Sequence, residues 1–141
     1  MPTLHIVAGQ ELPAEDRACI VQTTESYIAA ANALDAARII AMLAEEVTYE
    51  SQWTLAPIEG RQAVADYITK KYDTMRRSEA ARPEFRLGRI DLPLGVNYPV
   101  ALVTQFGKAE AFIALAVDAA GRIVRHDILG LAPPASQVSV G

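Results

Sequence analysis

Apolar positions recur at helical spacing from Pro13 to about Leu34, with Val21, Thr24, Ile28 and Ala31 three or four residues apart and Ile20, Tyr27 and Leu34 widening the stripe. Pro13 suits a first helical turn, where the missing N–H is not needed. Asp35 is a good N-cap for a second, short helix, Ala36 to about Glu45, whose Ile39, Ile40, Met42 and Leu43 supply an inward face. The period then drops to two. Val47, Tyr49, Ser51 and Trp53 alternate with Thr48, Glu50, Gln52 and Thr54, the pattern of a half-buried strand. After the break at 56–60, a third helix runs from Arg61 towards Ala81, with Val64, Ile68, Tyr72 and Met75 on one side and charges on the other.

Beyond Pro83 the pattern is strand throughout: Glu84 to Leu92, Val100 to Phe106, Glu110 to Val117 and Ile123 to Leu129, with three connections that resemble hairpins. The apolar phase slips between Phe85 and Leu87 on one side and Ile90 and Leu92 on the other, which predicts a bulge at Gly88. This order of elements, α-α-β-α-β-β-β-β, does not repeat βαβ units, so it predicts an α+β fold: a curved antiparallel sheet wrapped around helices, cone-like, with a cavity between sheet and helices. One domain spans 1–141, with an ordered core over about 13–132 and a flexible tail at 133–141.

Composition narrows the partners. With 141 residues, 51% of them apolar, the chain has the means to bury a single core, and its net charge of −4 argues against nucleic acid or an anionic membrane surface as partner. Residues 1–60 hold nine acids against Arg17 and Arg38, whereas residues 61–91 hold eight bases against five acids. Lys70, Lys71, Arg76, Arg77 and Arg82 read either as an anion-binding face or as the solvated side of a helix. Cys19 is the only cysteine, which excludes an intrachain disulfide, and two histidines with one cysteine argue against a transition-metal site. No signal-peptide pattern opens the chain, so a cytoplasmic location is expected.

Several stretches carry a family resemblance: residues 27–35 (YIAAANALD), residues 39–49 (IIAMLAEEVTY), Gly60-Arg61-Gln62-Ala63-Val64 and Gly121-Arg122-Ile123-Val124. Over roughly residues 15 to 130 the chain resembles the nuclear-transport-factor-2-like superfamily, which includes ketosteroid isomerase, scytalone dehydratase, limonene epoxide hydrolase and the polyketide cyclases. The resemblance implies the cone-like fold. It also sets Tyr27 where ketosteroid isomerase carries the tyrosine of its oxyanion hole. The position of that enzyme's general base holds Ser51, which has no carboxylate to offer, and its second donor aligns with Ile113 or Ala114. The paired histidines of scytalone dehydratase cannot be built from His5 and His126.

Strand alternation places Tyr49, Ser51 and Trp53 on one face, and Val124, His126 and Ile128 on one face of the last strand. If both are inner faces, Tyr49, Ser51, Trp53, Val124 and Ile128 line a ligand pocket that His126 enters. His126 is then the natural general acid or base and Tyr27 the hydrogen-bond donor, each with a purely structural alternative. Three functions remain open: a protein binding a small, largely apolar molecule; an isomerase, dehydratase, cyclase or hydrolase that uses His126 and Tyr27 without a cofactor; and an interaction domain with a filled pocket. Alternating Val100, Leu102, Ala114 and Ala116 on the outer sheet face suggest a homodimer.

Overall fold

A computed structural model of the chain describes residues 12–51, 56–78, 82–92, 95–105, 107–130 and 138–139. Helix α1 (Ala14–Asn32) follows Pro13 and carries Glu15 and Asp16 in its first turn, where the helix dipole favours acids. It ends in a left-handed cap: Leu34 has φ 52, its N–H donates to the Ala31 carbonyl, and the Asp35 N–H donates to the Ala30 carbonyl. Glycine usually fills that position. Leucine is held there because its side chain is buried in the core, which offsets the strain.

The Asp35 side chain then accepts from the Arg38 N–H and caps α2 (Ala36–Ala41), as its sequence position predicts. Leu43, expected on that helix, instead opens strand β1 (Leu43–Ser51). Strand β2 (Ile58–Glu59) folds back on β1, and Gly60 at φ 91 turns the chain into α3 (Arg61–Arg76). Val64, Ile68 and Tyr72 form the buried stripe of α3. Its ends are tied to neighbouring carbonyls: Arg61 donates to Ile40 O at 3.2 Å, and Arg76 donates to Leu34 O while pairing with Asp73.

Strands β3 (Glu84–Leu92), β4 (Gly95–Gln105), β5 (Lys108–Val117) and β6 (Ile123–Gly130) form an antiparallel meander, with β7 (Val138–Ser139) on β3. The sheet order is β2-β1-β6-β5-β4-β3-β7. It is therefore mixed rather than wholly antiparallel, because the meander returns β6 beside β1 running in the same direction. The expected bulge at Gly88 is absent. The β3–β4 register runs unbroken from Glu84↔Thr104 to Ile90↔Tyr98 and slips only between Ile90 and Leu92. Within the expected flexible tail, Val138 and Ser139 pair with Ile90 and Arg89; the rest of that tail lies outside the described residues.

Both faces of the sheet are covered within one chain. Facing the helices, Ala101, Ile113, Leu115 and Ile123 pack with Tyr27, Ala31, Ile39, Val64 and Ile68. On the other face Val100, Leu102 and Ala114 are buried with Leu12, Ile20, Tyr98 and Phe112. These are three of the four residues that suggested a dimer, and their burial inside the protomer removes that reason for one. At the sheet edge, the Asn32 amide donates to Phe85 O at 2.9 Å and accepts from the Phe85 N–H at 2.8 Å, standing in for a strand partner. Asn32→Ala is expected to lower stability by about 1–2 kcal/mol in urea unfolding, because it leaves two strand groups unpaired. An unchanged midpoint would show that water replaces the clasp.

Candidate functional site

Register decides which side chains meet at the open end of the sheet. Phe85 lies opposite Val103, Val103 opposite Ala111, and Ile113 opposite Ile128, so four adjoining strands aim apolar groups at one place. Together with Met75 and Pro83 these residues wall a cavity of about 260 Å³. Its polar groups are Lys71 from α3, Gln105 from β4 and Glu110 from β5. A carbon-lined volume with a few convergent polar groups is the usual form of a small-molecule site.

Behind this wall lies a buried polar cluster. The Lys71 amino group donates to the Tyr49 hydroxyl at 3.3 Å. Tyr49 stacks on His126 with ring centroids 4.4 Å apart and planes 18° from parallel, and meets Tyr67 at 5.0 Å. Nε2 of His126 is 2.7 Å from the Tyr27 hydroxyl, a hydrogen bond that joins α1 to β6, and Tyr72 also interacts with that hydroxyl. The other ring nitrogen of His126, Nδ1, is buried without a hydrogen-bond partner.

Burial governs the protonation states. It holds the His126 pKa down at about 3, with the charge of Lys71 adding to the effect, so the imidazole is neutral in the ordinary pH range. Burial likewise lowers the pKa of Lys71 and pushes that of Tyr72 up to about 12. Tyr27 and Tyr49 are raised further, again mainly by burial, and stay protonated. Tyr27, Tyr49 and Tyr72 thus present neutral hydroxyls beside a neutral imidazole, with Lys71 as the amine of the cluster.

Tyr27 and His126 thus meet, as expected from one inner surface, but neither reaches the cavity wall. His126 is 1% exposed and Tyr27 3% exposed. His126, expected as general acid or base, therefore lies behind the cavity wall rather than on it. What its ring does is hydrogen-bond the Tyr27 hydroxyl. Of the expected pocket residues, Ile128 lines the cavity, whereas Tyr49 lies just behind it. Ser51, together with Glu50, Arg125 and Asp127, lines a second cleft of about 340 Å³ at the C-terminal ends of β1 and β6, which shares Ile128 with the cavity. Trp53 falls outside the described residues. Val124 is displaced by a register slip between Val117↔Ile123 and Ala116↔Arg125, so that Ile123 enters the inner core instead. The slip lies before His126 and leaves it facing inward.

Lys71 stands apart from the other bases with which the sequence groups it, because its amine meets the Tyr49 hydroxyl and it lines the cavity. The signal was present: Ile68, Lys71 and Met75 also follow three–four spacing, one step round from Tyr72. Among the described residues, no group of three or more His, Cys, Asp or Glu could hold a metal ion, and no helix is long and apolar enough to cross a membrane.

No protein-family model matches the sequence, and no curated protein matches it. Solved structures do. A SnoaL-like protein of unknown function from Burkholderia thailandensis superposes with a TM-score of 0.63 at 16% identity, over 82% of this chain and 97% of that one. An NTF2-like protein of unknown function from Mesorhizobium loti gives 0.63 at 15% identity, over 87% and 99%. An LEH-like epoxide hydrolase from M. tuberculosis gives 0.53 at 16% identity, over 81% and 84%. The chain therefore has the nuclear-transport-factor-2-like, cone-shaped α+β fold that its sequence resembles. At these identities the likeness establishes the fold alone.

Proposed function

We propose that this protein binds a small, largely apolar molecule in the cavity between α3 and strands β3 to β6. The observation that carries this reading is the cavity itself: about 260 Å³ of space walled mainly by Phe85, Val103, Ala111, Ile113 and Ile128, with Lys71, Gln105 and Glu110 as its polar groups. Ordinary ligand pockets run from roughly 300 to 1,000 Å³, so this one suits a compact guest. Taking the ~30 Å³ that a water occupies in the liquid as one atom's share, the space holds about nine non-hydrogen atoms.

Octanamide is a neutral probe of fitting size. In methyl-resolved NMR it is expected to shift Ile113, Ile128, Val103 and Met75 selectively. An Ala111→Phe variant, confirmed folded by circular dichroism, is expected to lose those shifts because the added ring fills the cavity. Shifts scattered over the surface, or undiminished in the Ala111→Phe protein, would refute a ligand at this site.

A further inference from the structure

Among the described residues that line the cavity, the polar ones are Lys71, Gln105 and Glu110, and of these Lys71 is the basic one. Its circumstances differ from those of other bases in the fold. Arg76 pairs with Asp73, and Arg125 bridges Glu50 and Asp127, whereas no carboxylate among the described residues lies within 4.0 Å of the Lys71 amino group. Lys71 has only the Tyr49 hydroxyl as hydrogen-bond acceptor, at 3.3 Å. An ammonium carries three donors, so two remain to be directed elsewhere. Removing a cation from water without a counter-ion is unfavourable, and the same low dielectric makes an arriving anion bind more strongly than it would at the surface.

Among the described residues Glu110 is the one acid on the cavity wall, and it is exposed. Exposed to solvent, its field is screened, so its repulsion of an anion is weak beside the attraction of the half-buried Lys71. Lys71 therefore orients a guest: acidic head at α3, apolar body along the strands.

We propose that Lys71 is the anion-recognition residue of this cavity and that the ligand is a small monocarboxylate whose apolar body packs on Phe85, Ile113 and Ile128. This rests on the pocket reading above and specifies its ligand class. The carboxylate accepts hydrogen bonds from the free Lys71 donors and supplies the missing counter-charge, while Tyr49 keeps the amine in place. The assignment also explains why the cluster behind the wall is built from neutral groups. Tyr27, Tyr49, Tyr72 and His126 hold no negative charge near the amine that would compete with the ligand.

Octanoate and octanamide share a chain and differ at the head, so calorimetric titration of both into wild-type protein and into a Lys71→Met variant separates the contributions. Wild type is expected to bind octanoate about tenfold or more tightly than octanamide, and Lys71→Met to bind the two alike. A second measurement needs no variant: in wild-type protein, octanoate is expected to raise the pH midpoint of the Lys71 side-chain NMR resonance, and octanamide to leave it in place. Equal affinities for the two probes in wild type, an unmoved Lys71 midpoint, or a preference that survives in Lys71→Met would each overturn the assignment while leaving the cavity reading intact. If neither probe binds wild type, the cavity reading itself falls, and the carboxylate assignment with it.

Discussion

The protein is expected to lose stability steadily as pH falls below about 6.5, by up to ~1.4 kcal/mol per pH unit from His126 alone. The folded chain holds this imidazole at a pKa of about 3, because it is buried and lies near Lys71, whereas the unfolded chain has the ordinary value near 6.5. Between those limits the unfolded state takes up a proton that the folded state refuses. The stabilisation is thus complete above pH 6.5 and is lost as pH falls towards 3, reaching on the order of 4 kcal/mol there. Asp127, whose carboxyl burial pushes upward, acts in the opposite sense. Urea unfolding from pH 7.5 to 4.5 measures the slope. A His126→Gln variant retains an amide for the Tyr27 hydroxyl, so it is expected to fold with reduced stability at pH 7 but without the slope between 6.5 and 4.5. A variant that keeps the wild-type slope would show that another group is responsible.

Gly88→Ala is expected to destabilise the fold by about 2–3 kcal/mol, at the upper end for overpacking a core by one methyl group. A Cβ built on Gly88 would stand 2.5 Å from Cδ1 and 2.6 Å from Cγ of Leu102. Leu102 is fully buried and packed with Val100, Phe112 and Ile20, so it has nowhere to retreat. Gly88 therefore serves close side-chain approach across β3 and β4. If that is the reason for the glycine, the cost depends on Leu102. In a Leu102→Ala background, itself weakened by about 2–5 kcal/mol, Gly88→Ala should be nearly neutral or restorative. A double-mutant cycle measured by chemical denaturation gives the coupling, and additive effects would contradict the steric account.

Much of the architecture was legible because it depends on local periodicity. The three-four stripes of α1 and α3, the Asp35 cap, the alternation through Tyr49 and the hairpin meander each follow from the spacing of apolar side chains along one segment. The same alternation correctly turned Tyr49 and His126 inward and, with the α1 stripe, brought His126 to Tyr27. Sequence spacing fixes which face a residue occupies, since that depends only on local backbone geometry.

Depth on that face was decided by the tertiary structure. Tyr27 and His126 share the inner surface with Ile128, yet Tyr49 covers His126 while Ile128 reaches the cavity, and no spacing rule distinguishes a wall from what lies behind it. The slip in apolar phase around Gly88 suggested a bulge, but the chain needed the space for Leu102, which lies fourteen residues further along. Leu34 occupies a left-handed cap that propensity assigns to glycine, because burial outweighs local strain. Lys71 stands among bases on a helix that looks solvated in one dimension, and only the docking of α3 against Tyr49 turned its amine into an apolar cavity. Local spacing set the elements and their faces; long-range packing, where each side chain's room and dielectric depend on distant partners, set the cavity, the neutral imidazole and the unpaired cation.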